Sequence, residues 1–205
     1  MRSVIATQMM MMAGAPSFTY ATWNPLDKAV GITLSNGDSR ADSSGGYYSV
    51  RSTASVSGKR YFEMLINVTT IGGNASAHGV SDGTQGLISP NYAGSTSLSA
   101  GVWVPPGGVY TNGSTSGGIG AQPIGVTRTE WAVDSATRKV WVRVHGGAWV
   151  GGGDPITGTS PTATLTGSGG IFAMATPFTV GAWSDLVSDP ANMTGSAPSG
   201  FTAGL

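Results

Sequence analysis

The sequence predicts an all-β domain of short antiparallel strands, and three observations carry that prediction. The first is the stretch Arg128–Asp154, in which Val140, Val142 and Val144 alternate with Lys139, Trp141, Arg143 and His145. A period of two is what a strand with one buried face requires. The second is the turn content: 33 glycines and 11 prolines stand in a chain that is still 40% apolar. A disordered chain would be poor in apolar residues and rich in charge, so this composition reads as many strands joined by many turns. The third is the absence of any long helix-period segment, since almost every ten-residue window contains Gly or Pro.

The elements run in order from the N-terminus. Residues 1–20 read as an arm outside the core. Its run Met9–Met12 supplies flexible side chains suited to irregular apolar surfaces, so the arm fits either against a neighbouring subunit or as an unstructured terminus. Residues 21–205 read as one domain. Ile32–Leu34 ends at Asn36-Gly37, a strong hairpin dipeptide. Tyr47–Ser52 alternates, Arg60–Val68 forms a longer strand, and Gly79-Val80, Gly101–Val104 and Val109-Tyr110 are shorter ones. In Arg128–Asp154, Thr129–Val133 is a strand, Asp134–Thr137 a turn and Lys139–His145 the second strand. Gly146-Gly147 then leads into a third strand at Ala148–Val150, completing a meander. Ile171–Thr176 is a further strand beyond a loop over Gly151–Gly169. Short strands at regular spacing, with turn signals between them, make a sandwich or a barrel.

Charge excludes several functions. Ten acidic and ten basic residues cancel, and no basic stripe exists to follow a nucleic-acid backbone. Residues 83–127 and 155–184 carry no charged side chain. So sparse a pattern suits a surface docked in a larger assembly better than a freely diffusing protein. With no cysteine there is no disulfide framework or thiolate metal site. The N-terminal apolar stretch is broken by Thr7 and Gln8 and is a poor signal peptide. No window approaches the roughly 18 apolar residues of a membrane span, so membrane insertion is not expected.

Nucleotide-binding patterns are missing: there is no phosphate-binding loop and no dinucleotide fingerprint. His78 and His145 have no second ligand at metal spacing, and no cofactor is expected. Glu63 and Glu130, the two glutamates, fall at polar strand positions. As a carboxylate pair facing a common groove they suggest a polysaccharide-degrading enzyme. Cross-strand pairing with Lys59, Arg60, Arg128 or Arg143 is the stronger reading. For binding, Tyr92, Trp103, Tyr110, Asn112 and Trp149 are the candidates. The four rings sit beside Gly- and Pro-rich turns, where loop tips can offer flat faces to a sugar ring or a protein surface. For any single ring, burial as a core plug competes with that role.

The order of the pieces resembles a known family. Trp23–Lys28, Ile32–Gly37, Val50–Ser52 and Ser57–Glu63 look like the opening of a SPRY domain, particularly the versions in bacteriophage virion proteins. Ala132–Asp134 with Arg138–Arg143 and Gly146 resembles the central hairpin of that family. Gly152–Pro155 with Gly158–Pro161 resembles the loop after that hairpin, and Ala197–Phe201 the closing strand that returns near the N-terminus. The resemblance implies a concanavalin-like sandwich of two antiparallel sheets and a binding role without catalytic machinery. The expected partners are other virion proteins, with homo-oligomer or assembly contacts through the arm, and a host surface glycan or protein. A peptide-binding adaptor is the alternative that the same resemblance allows.

Overall fold

A computed structural model describes residues 19–68 and 76–205. The expectations for most of the arm therefore lie outside the described residues. In chain order the strands begin with β1 (Trp23–Lys28), β2 (Ile32–Ser35), β3 (Arg40–Ser43), β4 (Val50–Ser55) and β5 (Lys59–Val68). Next come β6 (Ser76–Asp82), β7 (Ser99–Val104), β8 (Gly108–Thr111), β9 (Ser114–Gly118) and β10 (Gly125–Asp134). The last are β11 (Lys139–Val144), β12 (Ala163–Thr164), β13 (Ile171–Pro177), β14 (Trp183–Val187) and β15 (Thr202–Ala203). The described helical pieces are two short 3-10 turns, Val150–Gly152 and Pro190–Asn192.

The strands form two stacked sheets. The first runs β1-β4-β13-β6-β7-β8-β9, and the second β12-β11-β10-β5-β14-β3-β2. Within each sheet those neighbours are antiparallel; β15 joins the second sheet alongside β5 in parallel. The predicted antiparallel sandwich is thus the observed fold. Alternation decides what goes inside. Phe62, Met64 and Ile66 of β5 lie opposite Trp131 and Thr129 of β10, with Phe62 paired directly to Trp131. With Val133, Val140, Val142 and Leu186 they meet Val50, Val80, Val102, Val104, Ile171, Ala173 and Ala175 of the first sheet. As predicted, the β11 valines point inward and Trp141 and Arg143 outward.

Several details differ from the sequence reading, and the strand expected at Tyr47–Ser52 is observed at Val50–Ser55. The strand expected at Thr129–Val133 extends over Gly125–Asp134, because the ten residues of β5 pair along it from end to end. No strand forms at Ala148–Val150. The chain turns there into a 3-10 turn, and the free edge of β11 is taken by β12. The closing segment ends in β15, one step beyond Ala197–Phe201. It does return to the N-terminal side, where the Ala21 amide donates to the Leu205 carbonyl at 2.7 Å.

A polar thread crosses the core. His78 of β6 is fully buried between the sheets. Its Nε2 lies 2.8 Å from Thr129 Oγ1 and its Nδ1 3.4 Å from Ser184 Oγ. The Ser184 hydroxyl donates to the Leu65 carbonyl at 3.0 Å, so it is an acceptor towards His78. Nδ1 therefore carries the proton, and Nε2 accepts from Thr129. Burial pushes the His78 pKa down to about 3, and the ring is held neutral.

A second polar anchor ties the sheets at one end. The turn Asp134–Thr137 is shaped by the Asp134 carboxylate, which accepts from the Ala136 amide at 3.0 Å. Arg138 comes next in the chain. Its guanidinium donates to Asp82 Oδ2 at 2.7 Å and to the carbonyls of Leu165, Thr166 and Gly169. The Asp82 side chain has no exposure. Arg138→Met would leave that carboxylate buried without its cation and three carbonyls without a donor. The expected loss is about 2–4 kcal/mol of unfolding free energy, read from urea denaturation. A loss below about 1 kcal/mol would show that the Thr84 hydrogen bonds to Asp82 suffice alone.

Candidate functional site

The outer face of the first sheet carries the candidate site, and a flap spanning residues 83–98 shapes it. The flap leaves β6 at Asp82, crosses the sheet and returns to β7. Gln85 fixes its path: the side-chain amide donates to the Tyr92 carbonyl at 2.9 Å and accepts from Thr96 Oγ1 at 2.8 Å. Arg51, held by Asp27, donates to the Gln85 carbonyl at 2.7 Å. The Ala93 amide donates to Thr176 Oγ1 at 3.1 Å. A Cβ on Gly101 would sit 2.3 Å from the Ala93 carbonyl oxygen, so only glycine lets the flap lie this close.

Five rings form a strip on this face. Phe178 and Tyr47 lie 4.5 Å apart by ring centroids, Tyr47 and Tyr92 5.3 Å, Tyr92 and Trp103 4.9 Å, and Trp103 and Tyr110 6.1 Å. Trp103 of β7 and Tyr110 of β8 project on the same side because Trp103 pairs with Gly108 and Gly101 with Tyr110. Trp103 is 5% exposed, yet among the described residues its indole N–H meets no hydrogen-bond partner. The other four rings are half-buried. The hydroxyls of Tyr92 and Tyr110 meet no hydrogen-bond partner among the described residues. Burial, with the phenols of Tyr47 and Tyr110 nearby, raises the Tyr92 pKa.

Beside the strip lies an aliphatic ledge. The Tyr48 ring covers Gly31. Around it stand Val30, Val180 and Ile88, exposed by 92%, 75% and 56%. The Ser44 amide donates to the Gly31 carbonyl at 3.0 Å and the Gly46 amide to the Phe178 carbonyl at 2.8 Å, and these bonds join the loops. Segments 29–31, 43–49, 83–98 and 176–182 carry no charged side chain.

Of the five candidate binding residues, Tyr92, Trp103 and Tyr110 come together here. Trp103 and Tyr110 stand on strand faces, not at the loop tips expected for them. Asn112 is exposed at the β8–β9 turn, its amide donating to the Thr96 carbonyl of the flap at 3.0 Å. Trp149 lies elsewhere, outside the second sheet, with the Arg143 guanidinium 4.4 Å from its ring centroid. Neither Trp103 nor Trp149 plugs the main core between the sheets. Sequence reasoning misses Tyr47 and Phe178. Each neighbours a turn like the chosen rings, but only the strand order brings β4 and β13 beside β6, β7 and β8.

The two glutamates do share a face, being directly paired across β5 and β10 on the outer side of the second sheet. No groove opens there. The C-terminal segment crosses above them, and both are fully buried. Glu63 accepts from the amides of Gly195 at 2.6 Å and Thr194 at 3.1 Å, from the Tyr61 hydroxyl at 3.0 Å and from Arg128. Glu130 accepts from Arg143 Nε at 2.6 Å and pairs with His145 Nδ1 at 2.7 Å. The expected cross-strand pairing with Arg128 and Arg143 is therefore present. Burial would raise the Glu63 pKa, but the bonds from Gly195, Arg128, Thr194 and Tyr61 outweigh it and hold the carboxyl below its ordinary value. Glu63, Glu130 and His145 offer ligand atoms within 4.8 Å of one another. A cation there would have to displace Arg128 or Arg143, so the group fits an internal ion network better than a metal centre.

Solved structures resemble this fold. The SPRY domain of human HERC1 matches with a TM-score of 0.62 at 15% identity, over 84% of this chain and 99% of that one. The TRIM65 PSpry domain matches at 0.57 and 15%, over 83% of this chain and 93% of that one. Stonustoxin matches at 0.58 and 14%, over 82% of this chain. This chain spans 27% of the stonustoxin chain. No family model matches the sequence, and no curated protein does. The architecture is thus a concanavalin-like, SPRY-type sandwich.

Proposed function

We propose that this chain is a non-enzymatic binding module of a bacteriophage particle, placed on its tail, fibre or capsid surface, that contacts the host surface through the outer face of the first sheet. The observation that carries the reading is the ring strip Phe178–Tyr47–Tyr92–Trp103–Tyr110, set among loops without charge. Aromatic side chains offer large contact area at low entropic cost and are enriched where proteins hold partners. The virion context is supported by the resemblance of Trp23–Glu63 and Ala132–Gly146 to virion SPRY sequences and by the charge-poor composition. The ledge at Val30, Ile88 and Val180 is suited to contacts with other virion proteins, since contiguous exposed apolar groups mark docking surfaces. Polysaccharide cleavage gains no support, because Glu63 and Glu130 are sealed beneath the C-terminal segment. Mass spectrometry of purified virions tests the placement: the chain is expected among the particle proteins, and its absence overturns the virion reading.

A further inference from the structure

We infer that the ring strip takes an uncharged polysaccharide chain; this rests on the binding-face reading and names its ligand class. Three observations lead there.

The first is charge. No charged side chain stands in the flap or in the loops beside the strip, so an acidic glycan, a nucleic acid or a charged peptide would find nothing to pair with. A neutral ligand meets no such mismatch.

The second is the combination of ring faces with leftover polar atoms. A sugar ring presents an apolar C–H face and a rim of oxygens. Neighbouring ring centroids in the strip lie 4.5 to 6.1 Å apart with planes inclined by 27° to 89°, so its half-buried rings present edges and parts of faces to a ligand. Its unused polar groups among the described residues are the Tyr92 and Tyr110 hydroxyls, carried on half-buried rings, and hydroxyl or ring oxygens of a sugar would supply their hydrogen-bond partners.

The third is the position of the strip away from the strand edges that an extended peptide would pair with. The strip lies on a sheet face, whereas the edges of that sheet are β1 and β9, so a peptide cannot add there as a strand. The side chains most suited to grip a backbone are engaged within the flap. Gln85 is bonded to Tyr92 and Thr96, and the Asn91 amide donates to the Ile88 carbonyl at 3.1 Å.

The test uses the full chain in affinity electrophoresis through gels containing a soluble β-glucan, a mannan or a galactomannan, with a polyuronate gel as the acidic counterpart. At least one neutral polysaccharide is expected to retard the protein. Tyr92→Ala and Tyr110→Ala should each weaken that retardation about tenfold, while Trp149→Ala leaves it unchanged. Melting temperatures confirm that the variants are folded, and Tyr92→Phe, which keeps the ring, should retain part of the binding. Equal retardation by the polyuronate, no retardation by any neutral polysaccharide, or equal loss in Trp149→Ala overturns the inference. Binding to host envelopes separates the two levels. If Tyr92→Ala abolishes envelope binding that protease treatment also abolishes, the ligand is a protein; the glycan inference falls and the binding face stands. If strip variants bind envelopes as the unaltered chain does, both fall.

Discussion

Replacing Glu63 by Gln, a change of one atom's chemistry at constant shape, is expected to cost about 3 kcal/mol of unfolding free energy. The reason is the company the carboxylate keeps. Both of its oxygens receive donors: the amides of Thr194 and Gly195, the Tyr61 hydroxyl and the Arg128 guanidinium. A glutamine amide would turn an N–H₂ towards some of these donors and leave Arg128 without its counter-charge. For a chain of this length the loss corresponds to roughly 6–12 °C in melting temperature. Tyr61→Phe removes one donor and should cost only about 1 kcal/mol. The damage should also be local first. Hydrogen exchange at the Thr194 and Gly195 amides is expected to accelerate in Glu63→Gln while the β6 and β7 amides stay protected. The segment has little room to adjust, since a Cβ on Gly195 would lie 2.2 Å from the Tyr61 hydroxyl. If Glu63→Gln costs less than Tyr61→Phe, the carboxylate does not anchor the C-terminal segment.

Acid should weaken the sandwich well above the carboxylate range, and His78 is the cause. Its folded pKa is about 3, against about 6.5 in an unfolded chain. A group whose folded pKa is depressed contributes fully above its unfolded pKa, and the contribution is lost as pH falls towards the folded value. Between pH 6.5 and 3 the unfolded state binds a proton that the folded state refuses, so stability falls by about 1.4 kcal/mol per pH unit. At pH 5 the loss is about 2 kcal/mol relative to pH 7.5. Glu63 and Asp82 add losses of the same sign, because their folded pKa values are also lowered, but only as pH approaches 4. His78→Leu should flatten the profile from pH 7.5 to 5. The hydroxyls it abandons keep partners, with Ser184 on the Leu65 carbonyl at 3.0 Å and Thr129 within 3.4 Å of the Met64 carbonyl. Urea midpoints at four pH values decide the matter. An unchanged slope in His78→Leu would place the acid sensitivity elsewhere.

How much of the fold and the site is legible in the sequence depends on whether the cause is local. The alternation of Val140, Val142 and Val144 announces the inner face of β11, and the pairing of Glu63 and Glu130 with Arg128 and Arg143 comes from side-chain type and strand position. The strand expected at Ala148–Val150 does not form because Gly146-Gly147 signals a turn without setting the conformation of the residues beyond it; residue 151 adopts a positive φ and the chain coils. At the candidate face, Tyr92, Trp103 and Tyr110 are marked by their type and by the glycines and prolines nearby. Tyr47 and Phe178 carry the same marks. Their membership depends on β4 and β13 lying side by side although more than a hundred residues apart in sequence, which no local pattern reports. His78 gives no signal at all: a lone histidine beside glycine and alanine becomes a core residue only when Thr129 and Ser184 arrive from the other sheet. Nor can Thr194-Gly195 announce that their amides cap Glu63, a contact across 132 positions.

We propose that the outer face of the first sheet, and not that of the second, holds the partner. Binding of the purified chain to host cell envelopes, compared among the unaltered protein, Tyr92→Ala with Tyr110→Ala, and Trp149→Ala, tests it most directly. The strip double variant is expected to lose binding by at least about tenfold while Trp149→Ala retains it. Retention in the strip variant together with loss in Trp149→Ala would move the site to the opposite sheet and contradict the claim.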